Sequence, residues 1–153
     1  MRHGVRLGLD VGKVRIGVAG SDPGGMIATP VETVARGTGD VARILAIAAE
    51  YAAIELIVGL PLALSGRRTA STDDAVAFAT TLAAGGRIPV RMVDERLSTV
   101  SAQRGMRASG RTVKRSRAVI DQAAAVIILQ QALDFERNGG TPPGEQIVPP
   151  EGQ

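Results

Sequence analysis

Three acidic residues interrupt stretches of sequence that are otherwise apolar. Asp10 closes the run "LGLD" and is followed two residues later by Gly12, which has no side chain to obstruct a ligand approaching the backbone. Glu95 follows "VRMV" at the carboxyl end of an expected strand, where open α/β sheets carry their sites. Asp121 lies between Val119, Ile120 and the run Ala123 to Leu129, in the most apolar helical stretch of the chain. A charge there is costly unless it is paired or bound to a cation. Each acid also has an ordinary reading: Asp10 as a strand end, Asp94 and Glu95 as a solvated strand end, and Asp121 on an exposed helical stripe with Arg117.

The chain has no cysteine, and its single histidine is His3. Disulfides, thiol nucleophiles and zinc-thiolate sites are thereby excluded. Carboxylates drawn from three different elements are the donor set of a hard divalent cation, and Mg2+ or Mn2+ prefer such oxygen ligands. Two such ions about 4 Å apart can activate a water and stabilise the leaving oxygen of a phosphodiester. The charge distribution suits the same substrate. Between Arg87 and Arg117 the residues Arg87, Arg91, Arg96, Arg104, Arg107, Arg111, Lys114, Arg115 and Arg117 face only Asp94 and Glu95, within a chain of net charge +3. That segment is a surface for phosphate, or in the plainer reading a solvated helix face.

Composition narrows the partner. The aromatic residues are Tyr51, Phe78 and Phe135, with no Trp, so aliphatic side chains must build the core. Base stacking on aromatic rings is worth about 1–3 kcal/mol per base, and this chain has little with which to build a stacking platform. Backbone and shape recognition of a duplex, a junction or folded RNA is the expectation. No run approaches the roughly 20 apolar residues of a membrane span, and the start "MRHGVRLGLD" lacks the apolar region of a signal peptide. A soluble, cytoplasmic protein without membrane contact is expected.

With 153 residues the chain suits one domain. Val5 to Val11 and Arg15 to Ser21 read as strands joined by "GKV" in a hairpin, and Met26 to Val34 as a third, in which Pro30 predicts an edge position or a bulge. Three early strands suggest an antiparallel start. Apolar spacing then predicts a helix over "DVARILAIAAEYA" with Asp40 as N-cap, a strand at "IELIVGLP", a helix capped by Ser71 running to about Ala84, and a strand from Ile88 to Val93. A short basic helix from Ser98 to about Ser109, a mobile "GRTVKRS" and a last helix starting near Ser116 follow. Residues 138–153, rich in Pro and Gly, read as a disordered tail behind a domain spanning 1–137. The alternation in the second half predicts parallel pairing with helices on the sheet faces.

Four segments, "GLDVGKVRIGVAGSD", "IVGLPLALSGRRT", "VDERLSTVSA" and "KRSRAVIDQAAAVIILQQALD", together resemble the YqgF/RuvX family in order and spacing. They cover nearly everything from Val5 to Asp134. The family comprises bacterial nucleases of the ribonuclease H-like superfamily, described as pre-16S rRNA nucleases or Holliday junction resolvase homologues. The resemblance implies an α/β, ribonuclease H-like fold, with a mixed five-stranded sheet, its first three strands antiparallel, and helices on both faces. It implies an acidic triad at Asp10, Glu95 and Asp121 that binds Mg2+ or Mn2+, Asp10 bridging the metals. Lys13, Arg15, Arg67, Arg68, Arg96, Lys114 and Arg115 occupy matching motifs and are the candidates for nucleic-acid contact, each with surface charge as its plain reading. Many members carry a polar residue where this chain has Ala63, which removes a side-chain contact at that loop but leaves the backbone roles of Gly59 and Gly66. Asp22 and Asp94 are expected to hold a turn and a loop.

The function expected on these grounds is metal-dependent hydrolysis of phosphodiester bonds in structured nucleic acid, as 5′-end maturation of pre-16S rRNA, by a monomer or weak homodimer. The alternatives are resolution of four-way DNA junctions and a non-catalytic ribosome-assembly factor that binds RNA. "LDVGKVRIGVA" also resembles the first phosphate loop of the actin and sugar-kinase superfamily, but those proteins bind ATP between two such domains and this chain has room for one.

Overall fold

A computed structural model of the chain describes residues 1–97 and 117–148. Strands β1 (Arg6–Val11), β2 (Arg15–Ser21) and β3 (Ala28–Ala35) form an antiparallel meander. Strand β4 (Glu55–Leu60) lies parallel to β1, and β5 (Val90–Asp94) parallel to β4. The parallel half requires crossovers, which helices α1 (Asp40–Glu50) and α2 (Ala70–Gly85) supply. Helix α3 (Arg117–Gly139) covers the opposite face of the sheet. No described helix is long and apolar enough to cross a membrane.

Pro30 sits on the edge strand β3, and the β2–β3 register slips there: Val18 faces Glu32 while Ala19 faces Pro30. The ring removes a ladder donor, so the edge and the bulge are where it is tolerated.

Two faces of one sheet carry different side chains because successive residues of a strand point to opposite sides. Leu7, Leu9, Ile16, Val18, Leu56 and Val58 meet α1 and α2 in the larger core. The other face carries Gly8, Gly17, Ala19, Ala28 and Ile57, and onto these small residues packs α3 through Ala124, Ala125, Ile128, Leu129, Ala132 and Leu133. A Cβ on Gly8 would stand 2.6 Å from the Cβ of Leu129, so the helix lies closer to the sheet than a side chain there would permit.

The sheet has six strands, not five. β6 (Glu145–Ile147) pairs antiparallel with β5, Ile147 opposite Val90, and completes the order β3-β2-β1-β4-β5-β6. Residues 138–153 are therefore not a wholly disordered tail. Gly144 adopts a φ of +72°, and a Cβ there would meet the carbonyl oxygen of Met92 at 2.0 Å. The Pro- and Gly-rich composition is the turn chemistry that brings the chain back to cover an edge strand. Two helix starts also differ from expectation. Gly39, at a φ of +91°, is the N-cap of α1 with Asp40 in the first turn, and Thr69 caps α2 through a capping box with Thr72, displacing Ser71. The expected helix from Ser98, the "GRTVKRS" segment and the residues Lys114 and Arg115 lie outside the described residues.

Candidate active site

Asp10 is the penultimate residue of β1 and points to the α3 face, as Gly8 does two residues earlier. It is buried, at 6% exposure. Its partner across the hairpin is Gly17 on β2. On the other side the parallel register that sets Leu9 opposite Val58 sets Asp10 beside Gly59 of β4.

Both neighbouring glycines make room for an acid. A Cβ on Gly59 would stand 2.5 Å from Oε2 of Glu95, so the missing methyl is the space that the Glu95 carboxylate fills over β4. Glu95 opens a single 3-10 turn after β5, which swings its side chain back over the sheet, and it too is buried, at 5% exposure. A Cβ on Gly17 would stand 2.0 Å from the carbonyl oxygen of Asp121, so α3 begins in direct backbone contact with β2. Asp10 at the end of β1 is thus flanked by Gly59, over which Glu95 lies, and by Gly17, against which the backbone of Asp121 packs.

The Asp121 carboxylate accepts a hydrogen bond of 3.1 Å from Nε of Arg15. Among the described residues no three His, Asp or Glu side chains stand as a ready-made metal cluster. The donor chemistry nonetheless fits a hard cation. Asp10 and Glu95 are buried carboxylates, oxygen ligands of the kind Mg2+ and Mn2+ select, and the carboxylate of Asp121 is held by Arg15.

The basic candidates divide. Lys13 is exposed at the hairpin turn, and Arg67 is exposed in the loop after β4. Arg68 is committed to Asp73 at 2.7 Å. Arg96 forks onto Asp94, donates to the carbonyl of Leu64 at 3.3 Å, and holds the Asp94 carboxyl below its usual pKa. It therefore ties the loop after β4 to the 3-10 turn that carries Glu95. Asp22 and Asp94 are the turn and loop residues expected: Asp22 accepts from the backbone N–H of Gly24, Met26 and Ile27.

Gly12 has a structural task as well. Its N–H donates to the carbonyl of Arg15 at 2.9 Å, and a Cβ would meet that same oxygen at 2.8 Å, so the hairpin itself demands glycine. Sequence reasoning also missed Arg36. Its guanidinium donates to both oxygens of Asp74, donates to the Gly12 carbonyl at 2.7 Å and lies 5.1 Å from the centre of the Phe78 ring. Contacts between residues so far apart leave no local signal. Gly17 did leave one, a glycine inside a strand, which marks close approach of another backbone.

A mixed α/β sheet of this order, with helices on both faces and acids at the ends of β1 and β5 and on the covering helix, has the architecture of the ribonuclease H-like fold. Residues 4–135 match the family model RuvX, described as Holliday junction resolvase, and the chain belongs to that family. It is 66% identical over 150 residues to a protein of Clavibacter michiganensis named "Putative pre-16S rRNA nuclease", covering 96% of this chain and 93% of that one. A relative of the same name from Leifsonia xyli is 60% identical, with 97% of each chain covered. The fold resembles that of Thermus thermophilus RuvC in complex with a Holliday junction substrate, with a TM-score of 0.59, 16% identity and coverage of 95% of this chain and all of that one.

Proposed function

We propose that this nuclease hydrolyses phosphodiester bonds in structured RNA with the help of a divalent cation, Mg2+ or Mn2+, and that its task is 5′-end maturation of pre-16S rRNA in the cytoplasm. The observation that supports the reading is the placement of two buried acids, Asp10 at the end of β1 and Glu95 over Gly59 of β4, with the backbone of Asp121 against Gly17, the cross-strand partner of Asp10. Asp10, Glu95 and Asp121 would hold the cation, which supplies activation of a water and charge stabilisation of the leaving oxygen.

The chain's own part is positioning. Gly17 and Gly59 set the acids, Arg96 fixes the turn that bears Glu95, and Arg15 holds Asp121 while presenting positive charge at the mouth of the site. Lys13 and Arg67 offer exposed charge to neighbouring phosphates, and Lys114 and Arg115 are further candidates from the sequence alone. The names of the relatives support pre-16S rRNA as the substrate. A second reading, cleavage of four-way DNA junctions, is favoured by the family's description.

One experiment addresses both. Purified protein and its Asp10→Asn variant are incubated with Mn2+ or with EDTA, against a pre-16S rRNA fragment and a synthetic four-way DNA junction in parallel. Cleavage of the RNA alone, lost with EDTA and in the variant, is the expected result. Cleavage of the junction alone establishes the second reading, and cleavage that persists in Asp10→Asn refutes the site.

A further inference from the structure

Between the end of β5, α3 and the chain around Pro143 lies a cavity of about 180 Å³. Val93, Ile128 and Pro143 give it an apolar lining, Phe135 a ring and Gln131 an amide, and Glu95 also lines it. Resting on the nuclease reading above, we propose that this cavity takes one nucleobase of the substrate, turned out of its stack beside the bond that is cut.

Four observations support that occupant. The first is continuity: Glu95 lines the cavity and is also one of the acids that would hold the cation, so an occupant neighbours a phosphate bound through that cation. The second is size. Pockets for drug-sized ligands run from about 300 Å³ upward, so this one suits a single ring and not a whole nucleotide.

The third is charge. Asp94 in the lining is neutralised by Arg96, so Glu95 is the acceptor that the lining offers, which favours a neutral ring bearing N–H donors, as the amino-substituted bases are. The fourth is Phe135, which is 53% exposed although Ile128, Leu129 and Leu133 of the same helix are buried. Gln131, one turn earlier on the same face of α3, brings a donor and an acceptor to the level of a base edge. Unpaired bases in RNA are recognised in this way, by stacking on an aromatic ring and hydrogen bonding at the edge.

The walls are fixed before any ligand arrives. Gly144 is seated against the carbonyl of Met92 in a conformation open to glycine, and Arg91 reaches the Pro143 carbonyl at 3.5 Å while its Nε donates to the buried Glu55. A preformed pocket discriminates by what it leaves unfilled.

The test uses pre-16S RNA fragments in which each nucleotide flanking the cleaved bond is made abasic in turn. At one such position the wild-type KM should rise about tenfold, the scale of one base–aromatic stack, with kcat little changed. Phe135→Ala should show that loss with intact RNA and no further loss with the abasic one, and Phe135→Trp should restore the difference. Indifference of the wild type to every abasic position, or full affinity of Phe135→Ala, overturns the proposal. A titration with free adenosine or cytidine, followed by backbone amide shifts, needs no cleavage. Shifts at Gln131, Phe135 and Gly144 are expected; their absence, or the same shifts with inorganic phosphate, also overturns it. Failure of every cleavage assay with those shifts present would sink the nuclease reading and leave the pocket standing.

Discussion

Gly17 and Asp121 touch backbone to backbone: a Cβ on the glycine would stand 2.0 Å from the carbonyl oxygen of the aspartate. Gly17 is also the cross-strand partner of Asp10. One absent methyl therefore sets the distance between two of the three acids. Gly17→Ala must push the start of α3 off the sheet, since neither backbone can rotate away. Overpacking of this kind costs about 1–3 kcal/mol, which a domain of this size can survive, while a shift of about 1 Å at reacting groups can cost a hundredfold in rate. We expect a folded variant with a lowered urea midpoint and cleavage reduced about a hundredfold. Full activity in folded Gly17→Ala would remove Asp121 from the site.

Arg15 holds Asp121 in a pair whose members are 31% and 26% exposed, so the pair itself contributes less than about 1 kcal/mol to stability. Its other use is to present charge to phosphate. Arg15→Gln should melt close to the wild type, yet bind the RNA fragment more weakly and with a log-affinity against log-salt slope smaller by about one. Binding measured in EDTA over a KCl series reads this without cleavage. An unchanged slope would make Arg15 a positioning residue for Asp121 alone.

How far such relationships can be read from sequence depends on their range. The hairpin between Val11 and Arg15, the edge position of Pro30 and the parallel pairing of β4 with β5 follow from alternation and turn residues, which are local. Asp10 and Glu95 stood out because a carboxylate at the end of an apolar strand breaks a local pattern. Helix starts were harder, since Gly39 and Thr69 compete with Asp40 and Ser71 only a residue or two away. β6 was illegible because composition speaks of conformational freedom and not of the edge of β5 that needs a partner. Phe135 reads as a core residue in an apolar helix, and the turn that exposes it beside a cavity is fixed only when α3 meets the sheet.

Arg36 illustrates the same limit with a measurable consequence. Its fork on Asp74, at 2.8 and 2.9 Å, pulls that carboxyl below its usual pKa, and the bond from its Nη1 to the Gly12 carbonyl anchors the turn bearing Lys13 to α2. Lysine keeps the charge but has neither the fork nor the planar face that lies over Phe78. Arg36→Lys should lose about 1–2 kcal/mol and speed hydrogen exchange at the Gly12 amide, whose bond to the Arg15 carbonyl closes the hairpin. Wild-type stability and exchange in Arg36→Lys would reduce the contact to surface decoration.

At the opposite end of α3, Glu136 is buried and accepts hydrogen bonds from Arg2 at 2.7 Å and Arg6 at 3.2 Å, anchoring the helix whose first turns carry Asp121. The hydrogen bond from Arg2 lowers the carboxyl from 4.5 to about 2, against the opposing effect of burial. A group whose pKa is depressed by folding stabilises the native state above its unfolded value and loses that contribution as the pH falls through the folded one. The window is therefore pH 4.5 down to about 2, and the contribution fully present at neutral pH is roughly 3 kcal/mol. Glu136→Gln should remove it, leaving Arg6, which is wholly buried, without its counter-charge. Urea denaturation at pH 7 and pH 3 should show the variant less stable at pH 7 and the gap from wild type narrowing at pH 3. A gap that stays constant with pH would mean that Glu136 acts through packing and not through its charge.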